Sequence, residues 1–394
     1  MTGRQEPSAE ERPHVQEGGT DLPGAEDLER GAGLPPAWYT SQEIAALESE
    51  RIFRHAWQYV GRAEQVSGRG DYFAASVGDV PVVVVRDEDE LRCFVNVCRH
   101  RRHLVVEGAG NRRVLQCPYH AWTYGLDGRL RAAPRSGREP GFDPADFPLL
   151  PARVDSWGPF VFATLDPDAP PLADFLGELP DIIGRSGLSL EGVRFQRREE
   201  WTAAANWKVM IENFLECYHC PVQHPAFSAV IDVDEDAYSL RGYQWFSSQV
   251  APVRTSALEG RGRKPAYEVR GAVTQAQYHY LWPNFTMSIN PGPPNLALDV
   301  WIPDGAERTR GFSEQYFGSD VSDAVAREIT EFNRQVGRED DALTDSVQRG
   351  LRAGVPAQSR LLIESEHLVV HFQKLVRAAL TRPEVDASTR RHRP

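Results

Sequence analysis

The sequence predicts an α+β protein of two domains, and three observations carry that prediction. Between Tyr72 and Ala163 the chain is a succession of short β-branched and aromatic runs separated by polar turns, the pattern of a small all-β domain. Asp166-Pro167-Asp168-Ala169-Pro170-Pro171 then interrupts any regular structure. Beyond it, strand-like and helical stretches are mixed, and an antiparallel sheet wrapped around a long C-terminal helix suits their order. At 394 residues the chain is long enough for each domain to bury its own core.

Residues 1–33, rich in Glu, Gly and Pro, have no positively charged segment leading into an apolar one and read as a disordered leader rather than a signal peptide. Residues 34–170 form the first domain. It opens with the capping box Thr40-Ser41-Gln42-Glu43, after which Ile44, Leu47, Ile52 and Phe53 recur at helical spacing. Val82 to Val85 and Leu91 to Val97 are strands around the polar turn Asp87-Glu88-Asp89-Glu90, and Trp157 to Ala163 closes the domain as a strand. Residues 171–394 form the second domain, with strands expected at Gly271–Trp282, Phe285–Ile289 and Leu296–Ile302 and helices at Trp207–Tyr218, Val321–Val336 and Glu364–Leu380.

A formal charge of −12 excludes the basic footprint of nonspecific nucleic-acid binding. No apolar stretch approaches the length needed to span a bilayer, so a soluble, cytoplasmic protein is expected. Five cysteines are too few and too unevenly placed for a disulfide framework. Cys217 and Cys220 are expected to be packing residues beside a metal helix.

Cys98-Arg99-His100 and Cys117-Pro118-Tyr119-His120 are the most informative residues of the first domain. Two thiolates and two imidazoles can hold a [2Fe–2S] cluster with sulfur on one iron and nitrogen on the other, which raises its potential above that of an all-cysteine cluster. The alternative is a structural zinc site, although zinc fingers usually present both thiols first and both imidazoles later. In the second domain, Asn206-Trp207-Lys208 opens a helix that runs through His219 until Pro221 ends it, with Glu212, Glu216 and His219 on one face. His224 follows the helix end, so the two histidines can converge on one ion. A third, acidic ligand would complete the facial triad of a non-heme Fe(II) oxygenase, and Gly337-Arg338-Glu339-Asp340-Asp341 supplies the candidates.

Asn96 to Arg102, Cys117 to Tyr124 and the turn Leu126-Asp127-Gly128-Arg129-Leu130 resemble the cluster loops of the Rieske non-heme iron oxygenase α-subunit family, with Ala121 where Gly is more usual. The Glu216-x-x-His219-x-x-x-x-His224 string resembles that family's mononuclear iron motif, and the resemblance covers nearly the whole chain after Trp38. It implies a Rieske domain holding its cluster through Cys98, His100, Cys117 and His120, before a helix-grip (START-like) catalytic domain. It implies His219, His224 and an acid as iron ligands, and the family pattern of a Glu-Asp pair before Gln348-Arg349-Gly350-Leu351 selects Asp340 over Asp341. By the same resemblance Glu216 bridges His219 to the cluster-ligating histidine, His120, of a neighbouring subunit, which implies a homotrimer, without a β-subunit. Asn213 is a second candidate catalytic residue, close to the iron face.

The activity implied is that of a terminal oxygenase using O2, with electrons from NAD(P)H delivered by a separate reductase, alone or with a ferredoxin. The chain has no Gly-rich dinucleotide fingerprint of its own. Arg99, Arg101, Arg102, Arg112 and Arg113 crowd the cluster loops and could steer an acidic donor or pair with acids in the trimer. Glu216 and the following Cys-Tyr-His-Cys-Pro look like the branch acting on quaternary ammonium compounds. An aromatic cage suits such a cation, and Tyr278, Tyr280, Trp282 and Phe285 are its candidates. Two alternatives stand beside this reading: an arene-ring dioxygenase or natural-product C–H oxygenase with an apolar pocket, and a Rieske electron-transfer protein whose second domain only binds partners.

Overall fold

The computed structural model describes residues 24–261 and 263–381. Most of the expected leader lies outside the described residues, but its last part does not behave as a leader. Ala25–Glu29 is helical, Leu28 is fully buried in the main core, and Ala32 bridges to Arg360. One leucine able to fill a core site outweighs the polar composition around it.

The first domain is a seven-stranded antiparallel sheet in the order Gln58–Arg62, Phe160–Thr164, Pro151–Trp157, Glu90–Val95, Val80–Asp87, Asp71–Val77 and Ala109–Asn111. A small three-stranded sheet, Leu115–Gln116, Thr123–Tyr124 and Leu130–Ala132, stands beside it. The helix Gln42–Glu48 begins one residue later than the Thr40–Glu43 box implies: Thr40 ends the preceding short helix, and Ser41 is the cap, its Oγ accepting from the Ile44 N–H at 3.2 Å. The closing strand is instead a hairpin, Pro151–Trp157 and Phe160–Thr164, because Gly158 takes φ 54° and turns the chain back.

The second domain is another seven-stranded antiparallel sheet, ordered Val193–Ala203, Thr309–Gly318, Asn295–Pro303, Phe285–Ile289, Gln275–Leu281, Phe246–Pro252 and Ser239–Gly242. One face carries the helices Trp207–Phe214, Asp323–Ala353 and His367–Leu380. The helix expected to end at Val336 continues through Gly337 to Ala353. Ser322 caps its start, and Gly354 in the left-handed region ends it. The other face packs on the first domain through aromatic rings, with Tyr59 5.6 Å from Phe285 and Phe160 5.5 Å from Tyr316. Glu314, fully buried in this seam, accepts from Tyr59 Oη at 2.7 Å and pairs with Arg62 at 3.0 Å. A buried carboxylate is tolerated there because several donors share its charge.

Candidate metal centres

The Cys-His loops are each closed on themselves. The Cys98 N–H donates to the His103 carbonyl at 2.8 Å and the Cys117 N–H to the Trp122 carbonyl at 2.9 Å. Each loop needs one left-handed residue to turn, Arg102 at φ 59° and Ala121 at φ 57°, which is why glycine suits the Ala121 position. The thiols point inward, each 2% exposed and neither disulfide-bonded, with Cys98 Sγ 3.3 Å from Tyr124 Oη. Burial, together with the neighbouring Cys98, pushes the Cys117 thiol up. His100 and His120 are exposed, their ring centroids 4.5 Å apart. This donor set, sulfur inside and nitrogen outside, fits a [2Fe–2S] group.

The second centre is assembled from separate elements. The helix Trp207–Phe214 ends before Glu216, so the long helix expected through His219 is not formed. Glu212 turns inward, away from the histidines, where Tyr39 Oη donates to it at 2.7 Å and Gln373 Nε2 at 2.9 Å. Burial pushes its carboxyl up to about 7. Glu216 organises the turn that follows: one oxygen accepts from the Tyr218 and His219 N–H groups at 2.5 and 3.2 Å, while the other pairs with His219 Nδ1. Cys217 and Cys220, buried as expected, are joined by a disulfide because this turn brings their Cα atoms within 4.9 Å. Pro221 does not end a helix but lies in the first turn of the short one, Cys220–Gln223, that leads to His224.

His219 Nε2 and His224 Nε2 lie 3.1 Å apart, and Asp340 Oδ1 is 3.6 and 3.0 Å from them. Asp340 Oδ1 is buried and receives no hydrogen bond, so three acceptor-capable atoms face one point. A cation held there would satisfy all of them at a point that borders the cavity. Among the described residues these three donors alone gather within 4.8 Å of one another.

The electrostatics are those of a cation site. Burial works against the Asp340 charge, but His219, His224 and Asn213 outweigh it and hold the carboxyl at about 2. Burial likewise opposes the His219 charge, and Asp340 and Glu216 overcome it to hold the imidazole at about 9. Asp341 is exposed and lines the cavity, outside the trio. Glu339, unremarked in the sequence beyond the acidic run, accepts from His224 Nδ1 at 2.8 Å and from Gln335 Nε2 at 2.9 Å, fixing the ring's orientation. Its signal was present: on a helix whose Asp340 reaches a metal, the residue before it flanks the same site.

A cavity of about 710 Å³ opens beside the trio, between the long helix and the sheet. Of the four aromatic residues expected to form a cage, only Tyr278 lines it. Tyr280 and Trp282 lie against Phe372 of the last helix, and Phe285 is on the opposite face of the sheet against Tyr59. Strand alternation and the covering helix, invisible in a linear run of aromatics, decide this.

Residues 56–151 match the Rieske [2Fe–2S] domain family, and residues 190–382 match the ring hydroxylating alpha subunit (catalytic domain) family. The chain belongs to the Rieske oxygenases, whose α-subunits join a [2Fe–2S] domain to a mononuclear non-heme iron domain, and it is the oxygenase component of such a system. Its relatives narrow the kinship. It is 31% identical to the carnitine monooxygenase oxygenase subunit of Acinetobacter pittii over 87% of this chain and 93% of that protein. It is 32% identical to the chloroplastic choline monooxygenase of Beta vulgaris over 86% and 75%. The structure of a quaternary ammonium Rieske monooxygenase, reported for carnitine oxidation by gut microbiota and inter-subunit electron transfer, superposes with a TM-score of 0.77 at 29% identity, covering 90% of this chain and 97% of that one. Among the described residues no helix is long and apolar enough to cross a membrane.

Proposed function

We propose that this oxygenase hydroxylates or oxidatively N-demethylates a small quaternary ammonium compound. The observation that carries the reading is the His219, His224 and Asp340 trio opening on a cavity, in a chain whose relatives are named for carnitine and choline. Cys98, His100, Cys117 and His120 hold the cluster; His219, His224 and Asp340 hold the iron. The bound iron supplies the open positions at which O2 is activated.

The rest is the work of the protein. Glu339 fixes the His224 ring, and Asn213 steadies the Asp340 carboxylate. Glu216 fixes His219 from its Nδ1 side and links it to His120 of the partner subunit, giving the electron a short bonded route. Exposed His120 and Tyr218, the latter 60% exposed, agree with two centres that meet across an interface, in a homotrimer of this chain alone. The first domain, ending near residue 170, thus serves its neighbour's second domain. Electrons originate with NAD(P)H on a separate reductase, delivered directly or through a ferredoxin. Arg101, Arg102, Arg112 and Arg113, exposed around the cluster loops and without an ion pair among the described residues, suit an acidic donor.

The test is a substrate panel with a surrogate reductase. Turnover of choline, carnitine, glycine betaine or stachydrine, with hydroxylated product or formaldehyde, is expected; turnover confined to aromatic hydrocarbons would overturn the reading.

A further inference from the structure

The sheet wall of the cavity holds a carboxylate that the chemistry at iron does not use. Glu199, Ser313 and Asp299 are cross-strand neighbours on one face of the second sheet, and the next pairs along are Trp201, Gly311 and Trp301. Gly311 carries no side chain, and a Cβ there would meet the Trp201 ring at 2.4 Å. The two indoles therefore close over that strand, with ring centroids 4.8 Å apart at 55°. Both line the cavity, as does half-buried Asp299.

Only neutral donors reach Asp299. These are the Ser313 hydroxyl and the Trp201 indole N–H, which itself donates to Ser313 Oγ at 3.1 Å. Among the described residues no Lys, Arg or His lies within ion-pair distance of it. The arginines of the same cavity, Arg334 and Arg338, are engaged by Glu199 and Glu331. Burial raises the Asp299 carboxyl to about 6, the mark of a charge with no counter-charge nearby. A residue needed only to accept from Ser313 could be an asparagine at less cost, so an unpaired acid calls for a cation from outside.

We propose that Asp299 is the counter-ion for a positively charged substrate headgroup, which sits between this carboxylate and the faces of Trp201 and Trp301. The inference rests on the quaternary ammonium reading and names the residues that recognise the charge. A quaternary nitrogen has no N–H to donate, so its recognition is Coulombic attraction to the carboxylate together with cation–π contact with the indoles. The assignment also explains why the expected cage is absent from the Tyr278–Phe285 hairpin: the aromatic corner stands on the neighbouring strands.

Isothermal titration of the purified holoenzyme with choline, and with its neutral isostere 3,3-dimethyl-1-butanol, tests this. Wild type binds choline at least about tenfold more tightly than the isostere. Asp299→Asn removes that preference, leaving the isostere's affinity, the iron content and the cluster absorption unchanged. Trp301→Leu, which keeps the carboxylate, weakens choline more than the isostere and serves if Asp299→Asn does not fold. If the preference survives Asp299→Asn, the assignment of Asp299 is wrong while the quaternary ammonium reading stands. If wild type does not prefer choline to the isostere, the quaternary ammonium reading itself fails.

Discussion

The two metal regions are built in opposite ways. In the first domain each loop supplies one thiol and one imidazole and closes with its own backbone hydrogen bonds, so the site is local, shallow and turned toward solvent. In the second, a turn, a short helix and a residue more than a hundred positions later meet under the sheet, each held by neighbours such as Glu216, Glu339 and Asn213. A group that exchanges electrons with outside proteins benefits from exposure, whereas one that activates O2 benefits from a recessed cavity and fixed ligands. The difference in burial is thus a difference in job.

Glu216, proposed above to join the two regions, gives the largest expected effect. Glu216→Gln should slow product formation by about 10- to 100-fold while iron content and cluster absorption stay at wild-type values, read by coupled turnover and visible spectra. An unchanged rate would make the two regions independent.

The buried side of the comparison is sharpened by Glu212. The folded chain holds its proton up to about pH 7, whereas an unfolded glutamate releases it near 4.5, so stability falls as pH rises through that window and stays low above it. The penalty is roughly 3 kcal/mol. Glu212→Gln keeps the acceptor for Tyr39 and cannot ionise. Its melting temperature should exceed that of wild type by several degrees at pH 8 and match it near pH 5. The exposed side offers the smallest effect: Ala121→Gly should stabilise the cluster loop by about 1 kcal/mol, measured as slower loss of cluster absorption in denaturant.

Legibility followed the same divide. Cys98, His100, Cys117 and His120 could be read because their geometry is set within two short loops, and the α+β class followed from strand periodicity and the Pro-rich break. His219 and His224 were visible as a spacing, but the helix assumed to carry His219 was not there. Glu212, apolar in setting though acidic in type, belongs to the interior, and the chain bends at Leu215 instead. Adjacent acids could not be separated by spacing, since only the facing of the long helix brings Asp340, and not Asp341, against the histidines. Three of the four aromatic candidates, all but Tyr278, failed for the same reason: which strand face a helix covers is a tertiary fact. Asp299, Trp201 and Trp301 are far apart in the chain and become one corner only through sheet register.

The central claim is that the cluster of one subunit serves the iron of the next. Co-expression of two inactive variants, His120→Ala to disable the cluster and Asp340→Ala to disable the iron site, tests it most directly. Each variant alone should be inactive, and the mixed assembly should regain product formation, because a sound cluster on one chain then lies beside a sound iron site on another. Mixed assemblies no more active than either variant alone would contradict the account.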